Sequence, residues 1–94
     1  MIDTIYEELK RLGAVSSRTA FSEDWLGMEG SYFRGRRGRD GDASSKALAT
    51  CAARLRRRAW ALRDSSMPQV RESSERYLAL ADGCVSELLT LCER

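Results

Sequence analysis

Residues 17–34 read SRTAFSEDWLGMEGSYFR, and the way this stretch folds decides the architecture of the chain. Ser16 and Ser17 are capping residues, since a serine oxygen can accept from a backbone N–H that the first helical turn leaves unpaired. Phe21, Trp25 and Leu26 then fall on one face of a helix that Gly27 ends. A further short helix starts near Glu29 or Gly30 and includes Tyr32 and Phe33, with Gly35 and Gly38 limiting it to about two turns. Leu26 and Phe33 stand seven residues apart across the glycine turn. Their side chains are therefore expected to meet in the angle between two short helices, leaving the polar face of the second outward. Ser22 is small enough to let the pair approach.

Working outward, the N-terminal residues Ile2, Ile5, Tyr6, Leu9 and Leu12 recur at three- and four-residue steps and predict a first helix that Gly13 stops. Asp3, Glu7 and Glu8 sit toward its positive end, Lys10 and Arg11 toward its negative end. Residues 35–42, GRRGRDGD, hold three glycines and no apolar residue and read as a loop. A fourth helix runs from Ser44 or Ser45 through Leu48, Cys51, Ala52, Leu55, Ala59 and Leu62, with Trp60 beside the stripe, and stops around Asp64 to Ser66. Pro68 fits the first turn of a fifth helix, where its missing N–H is not needed.

In that last helix Val70, Ser74, Tyr77, Ala81, Cys84, Leu88 and Leu91 alternate steps of four and three, flanked by Leu78, Leu80, Val85, Leu89 and Cys92. This is more apolar surface than one side of an isolated helix needs. It packs either on the first and fourth helices or on a second copy, in which case Val70, Tyr77, Ala81, Cys84, Leu88 and Leu91 form a dimer interface. No run alternates apolar and polar residues as a strand would.

Charge is unevenly distributed. Between Arg34 and Arg58 nine basic residues face two acids, a balance of +7 that leaves −5 for the rest of a chain whose net charge is +2. Only Lys10 and Lys46 are lysines, so the cations are mainly planar guanidiniums suited to phosphate and guanine. Arg34, Arg36, Arg37 and Arg39 can each neutralise a phosphate. In the RLRRR run, Arg54 and Arg58 share a helix face with Arg57 beside them, read as a solvated surface pairing with Glu72, Glu75 or other acids of the fifth helix.

From Ser17 to Leu55, about forty of ninety-four residues, the chain resembles the helix-turn-helix domain of the lambda-repressor-like family. The carriers are Phe21 and Ser22, Leu26-Gly27, the turn residue Met28, the segment Gly30 to Arg34 with Phe33 as its anchor, and the Ala-x-x-Leu ending of Leu48, Cys51, Ala52 and Leu55. The resemblance implies Arg18 at a phosphate-side position beside Ser17, Gly30 and Ser31 at base-reading positions, and Tyr32 and Arg34 outward. Glu29 belongs to the same turn, where it would accept from a cytosine amino group. Gly30 has no side chain with which to read a base, and Arg36 stands where the family buries an apolar residue.

The expected fold is therefore a single all-α, five-helix domain over residues 1–94, with a helix-turn-helix core at 17–55 and a C-terminal packing or dimerisation helix at 67–92. The expected function is that of a small DNA-binding protein, a homodimeric transcriptional regulator of prokaryotic or phage type acting on double-stranded DNA. The alternative is a helix-turn-helix scaffold reused as an adaptor or inhibitor that binds an acidic protein partner. No apolar stretch is long enough to span a bilayer and the N-terminus lacks an export pattern, so a cytoplasmic location is expected, with no membrane partner. The chain has no histidine, no CxxC pair and no phosphate-loop glycine pattern, so no catalytic residue, metal site or cofactor is expected. Cys51, Cys84 and Cys92 read as small buried apolar groups.

Overall fold

The computed structural model describes residues 2–32 and 45–92, with side chains through residue 90. It is all-helical over these residues, with α1 at Ile2–Arg11, α2 at Arg18–Asp24, α3 at Ser45–Leu62 and α4 at Pro68–Cys92, and no strand among them. Four of the five helices read from the sequence are thus present. The remaining one falls largely outside the described residues, and Glu29, Gly30 and Ser31, placed in it by the sequence reading, are not helical; the first helical residue there is Tyr32.

The first helix follows its stripe. Ile5, Tyr6 and Leu9 are buried, and Lys10 and Arg11 occupy the last turn. Its end is closed by a Schellman pair, with the Gly13 N–H donating to the Lys10 carbonyl (3.1 Å) and the Ala14 N–H to the Leu9 carbonyl (2.9 Å). That reversal turns Val15 into the core. Ser17 then caps α2, its Oγ accepting from the Ala20 N–H at 3.1 Å. Phe21, one turn on, is fully buried and meets the Tyr6 ring edge-on at 5.4 Å. Removing such a side chain from water stabilises the fold by roughly 1.5–3 kcal/mol.

The two long helices form the chassis. Ser74 donates a buried 2.8 Å hydrogen bond to the carbonyl of Ala59, while Cys84 meets Cys51, a little over two turns earlier in α3. Partner numbers fall in α3 as they rise in α4, so the helices run antiparallel. Leu48, Cys51, Leu55 and Ala59 of α3 face Tyr77, Ala81 and Cys84 of α4 in one core that also takes in α1 and α2.

The seam of α4 is therefore covered by its own chain. Tyr77, Ala81 and Cys84 are buried here, which corrects their assignment to a dimer interface: heptad spacing demands that these groups leave water, and α3 satisfies it. Val70 and Leu88 are half-buried, Leu88 against the same core. The side chain of Leu91 lies outside the described residues. Trp60, beside the apolar stripe of α3, is 60% exposed.

Candidate nucleic-acid interface

The last turn of α2 leaves four carbonyls without helical partners, a liability every helix end must resolve. Here each one is accounted for. The Phe21 carbonyl accepts from the N–H groups of Trp25 (3.0 Å) and Leu26 (3.2 Å), and the Ser22 carbonyl from that of Met28 (2.9 Å). The remaining two, on Glu23 and Asp24, accept from Nη1 of Arg54 at 2.9 and 2.7 Å. Helix α2 has no basic residue in its own last turn and ends on two acids, the wrong sign for its dipole. A cation from α3 supplies what the local sequence lacks.

Gly27 makes this closure possible. Its φ is +65°, and a Cβ placed there would sit 3.0 Å from Cγ2 of Thr50 and 3.5 Å from Nη2 of Arg54. The turn is thus pressed against α3, with Leu26 fully buried beneath it. Phe33, read as the other half of a clamp with Leu26, lies outside the described residues.

Trp25, at the cap of α2, is buried and stacks nearly parallel on Tyr77 of α4, with ring centroids 6.1 Å apart and planes 9° from parallel. The guanidinium of Arg58 lies over the same indole at 5.8 Å, within cation–π range. Beside them opens a cleft of about 540 Å³, lined by Asp24, Trp25, Arg54, Arg57 and Arg58 with the methyl groups of Ala14 and Ala61.

The arginine run of α3 is exposed at Arg56, Arg57 and Arg58 and meets an acid of α4 through Arg56, but Glu72 and Glu75 are not its partners among the described residues. Arg54 and Arg58 turn to the end of α2, Arg56 lies 3.9 Å from Asp82, and Glu72 meets Arg76 within its own helix at 4.0 Å. Such long, exposed pairs contribute roughly 0–1 kcal/mol. Arg57 is exposed and has no hydrogen bond or ion pair among the described residues.

The residues expected to contact DNA divide into three groups. Ser17, Glu29 and Ser31 are exposed, and the Ser31 hydroxyl donates to the Glu29 carboxylate at 3.3 Å. Arg18, Gly30 and Tyr32 are not outward as expected. The Arg18 guanidinium lies over the Tyr6 ring at 5.1 Å, with its Nε buried and unpaired among the described residues. Gly30 is half-buried against α2, where a Cβ would come within 2.8 Å of Cγ2 of Thr19. Tyr32 is half-buried against the core. Gly30 and Tyr32 are placed so because the chain leaving Gly27 folds back along α2 instead of starting a helix at once, and Arg18 because Tyr6 of α1 lies beneath it. The third group, Arg34, Arg36, Arg37 and Arg39, lies outside the described residues.

The Arg54, Arg57 and Arg58 constellation around Trp25 is the part of the site that sequence reasoning missed. A signal existed in α2's ending on Glu23-Asp24 with no nearby cation, which required a positive group from elsewhere in the chain. Between the long helices, the thiols of Cys51 and Cys84 are both buried. Their mutual hydrogen bond, then burial, push the Cys51 thiol well above its ordinary range, while the same bond lowers Cys84.

Fold and site together define a small helical protein with an arginine-lined cleft where a short helix ends against a long hairpin. The chain belongs to a family described as "Family of unknown function (DUF6626)", which it matches over residues 2–94. No curated protein and no solved structure matches it. No helix among the described residues is long and apolar enough to cross a membrane.

Proposed function

We infer that this chain is a small DNA-binding protein of helix-turn-helix type, a transcriptional regulator of the prokaryotic or phage kind, related to the lambda-repressor-like domains that residues 17–55 resemble. The observation that carries the reading is the +7 balance between Arg34 and Arg58, whose α3 end gathers three guanidiniums on one face with a single carboxylate, Asp24, in the cleft they line. A polyanion with regularly spaced phosphates is the partner such a surface attracts. The reading includes a fifth helix for recognition after the Gly27 turn and a cytoplasmic location. It also includes a homodimer on paired half-sites, assembled through surface other than the Tyr77 to Cys84 seam.

Its test is fluorescence anisotropy with duplex DNA at several salt concentrations, comparing the native chain with the triple variant Arg34→Ala, Arg36→Ala, Arg37→Ala. Loss of three phosphate contacts reduces the salt slope by about 2.7 and weakens binding to every sequence alike. Equal affinity of the two proteins refutes the reading. Selection from a random duplex pool then reports specificity, since an enriched palindrome identifies both an operator and a dimer.

A second reading is favoured by one observation: the positions expected to read bases present a glycine held against Thr19 and an exposed carboxylate on Glu29. On that reading the scaffold binds an acidic protein through its arginines. A stoichiometric protein partner together with no DNA signal at low salt selects it.

A further inference from the structure

The cleft at the end of α2 holds more hydrogen-bond donors than the fold consumes. A guanidinium carries five N–H groups. Arg54 commits Nη1 to the carbonyls of Glu23 and Asp24, leaving Nη2 and Nε. Arg58 is held by the face of Trp25, a contact that uses its charge and leaves its N–H edge uncommitted. Arg57 makes no polar contact among the described residues. Against these three charges the lining offers one carboxylate, Asp24.

We propose that this cleft is a binding site for a phosphate group, held by Arg57 and Arg58 with Arg54 behind them. A carboxylate offers two oxygens and is satisfied by a single guanidinium fork, whereas a phosphate presents three or four and matches several forks at once. The cleft volume of about 540 Å³ also accommodates a phosphate with its ester substituent. Two of the three cations are already fixed, Arg54 by the carbonyls and Arg58 by an indole itself stacked on Tyr77, so little side-chain freedom is lost on binding. The phosphate can come from the backbone of DNA or from a small phosphorylated compound, and the site stands on its geometry in either case.

The chain has two tryptophans, and Trp60→Phe leaves Trp25, in the cleft wall, as the sole indole. In that full-length background, inorganic pyrophosphate and a short duplex are titrated separately at low ionic strength, following indole fluorescence and the Trp25 side-chain N–H resonance. Saturable changes are expected. Arg57→Ala weakens the response about tenfold, the worth of one charge-assisted contact, without shifting the unfolding temperature. Asp24→Asn strengthens it by removing the opposing charge.

A response to pyrophosphate but not to duplex supports the site, assigns it to small phosphoesters and counts against the DNA reading. A response to duplex alone, lost in Arg57→Ala, supports it with the DNA backbone as source. Duplex binding that neither perturbs Trp25 nor depends on Arg57 and Arg58 overturns the site while leaving the DNA reading intact, and no saturable change with either probe overturns it outright.

Discussion

The guanidinium of Arg54 lies 2.7 Å from the carbonyl oxygen of Asp24, closing a helix that ended thirty residues earlier in the chain. Together with its bond to Glu23, this contact replaces the capping that α2 cannot supply for itself. Arg54→Ala leaves two helix-terminal carbonyls to water and is expected to lower stability by about 2 kcal/mol, since hydrogen bonds from charged donors contribute roughly 1.5–3 kcal/mol and this pair is partly exposed. Arg54→Lys recovers only part of the loss, an ammonium lacking the planar fork. Urea unfolding with an unchanged m value measures both.

The Gly27 turn carries two separable strains when a side chain is added. The left-handed backbone at φ +65° costs an ordinary residue about 1–2 kcal/mol, and the 3.0 Å approach to Thr50 adds a steric part. Gly27→Ala is expected to destabilise by both. In the double variant with Thr50→Ser, which deletes the offending methyl, only the backbone part remains, and a double-mutant cycle in thermal unfolding separates them.

Tyr77 distinguishes a core role from an interface role. Its ring stacks on Trp25 of the same chain, so Tyr77→Ala is expected to cost about 3–5 kcal/mol, as for other large aromatic truncations in cores. That loss is the same at micromolar and at hundredfold higher protein concentration, because no partner chain covers the residue in this fold. A midpoint that rises with protein concentration for the native chain but not for the variant would place Tyr77 between copies.

The thiols of Cys51 and Cys84 are expected to resist alkylation in the native state at neutral pH, reacting only as denaturant opens the hairpin. Thiolate is the reactive form, and burial with mutual hydrogen bonding keeps Cys51 protonated far beyond its ordinary range. Cys84, shifted downward, ionises first. As pH is raised, peptide mapping by mass spectrometry should find label on Cys84 ahead of Cys51.

The stripes of α1, α3 and α4 were legible in the sequence because burial repeats at helical spacing, and Gly13 and Pro68 stand where helices stop and start. The region after Phe21 was less so: Trp25 and Leu26 lie on the expected buried face, yet they belong to an unwinding end whose carbonyls are taken by Leu26, Met28 and Arg54. Propensity cannot announce a cap donated from another helix. Charge reading gave the arginines of α3 acids of α4 as partners, which holds for Arg56 with Asp82 but not for Arg54 and Arg58, because the claim of backbone carbonyls and an indole is invisible in a tally of acids. Spacing along α4 showed that Tyr77, Ala81 and Cys84 must be covered, but spacing carries no information about which helix does the covering.

The five-residue turn between Leu62 and Pro68 has one further consequence, for the order of assembly. Helices so closely joined find each other at small entropic cost, whereas α2 reaches its cap on Arg54 only after a much longer loop is closed. Loop-closure entropy thus favours the hairpin as the earlier-forming unit, with Arg54 and Tyr77 as the points on which the N-terminal third lands.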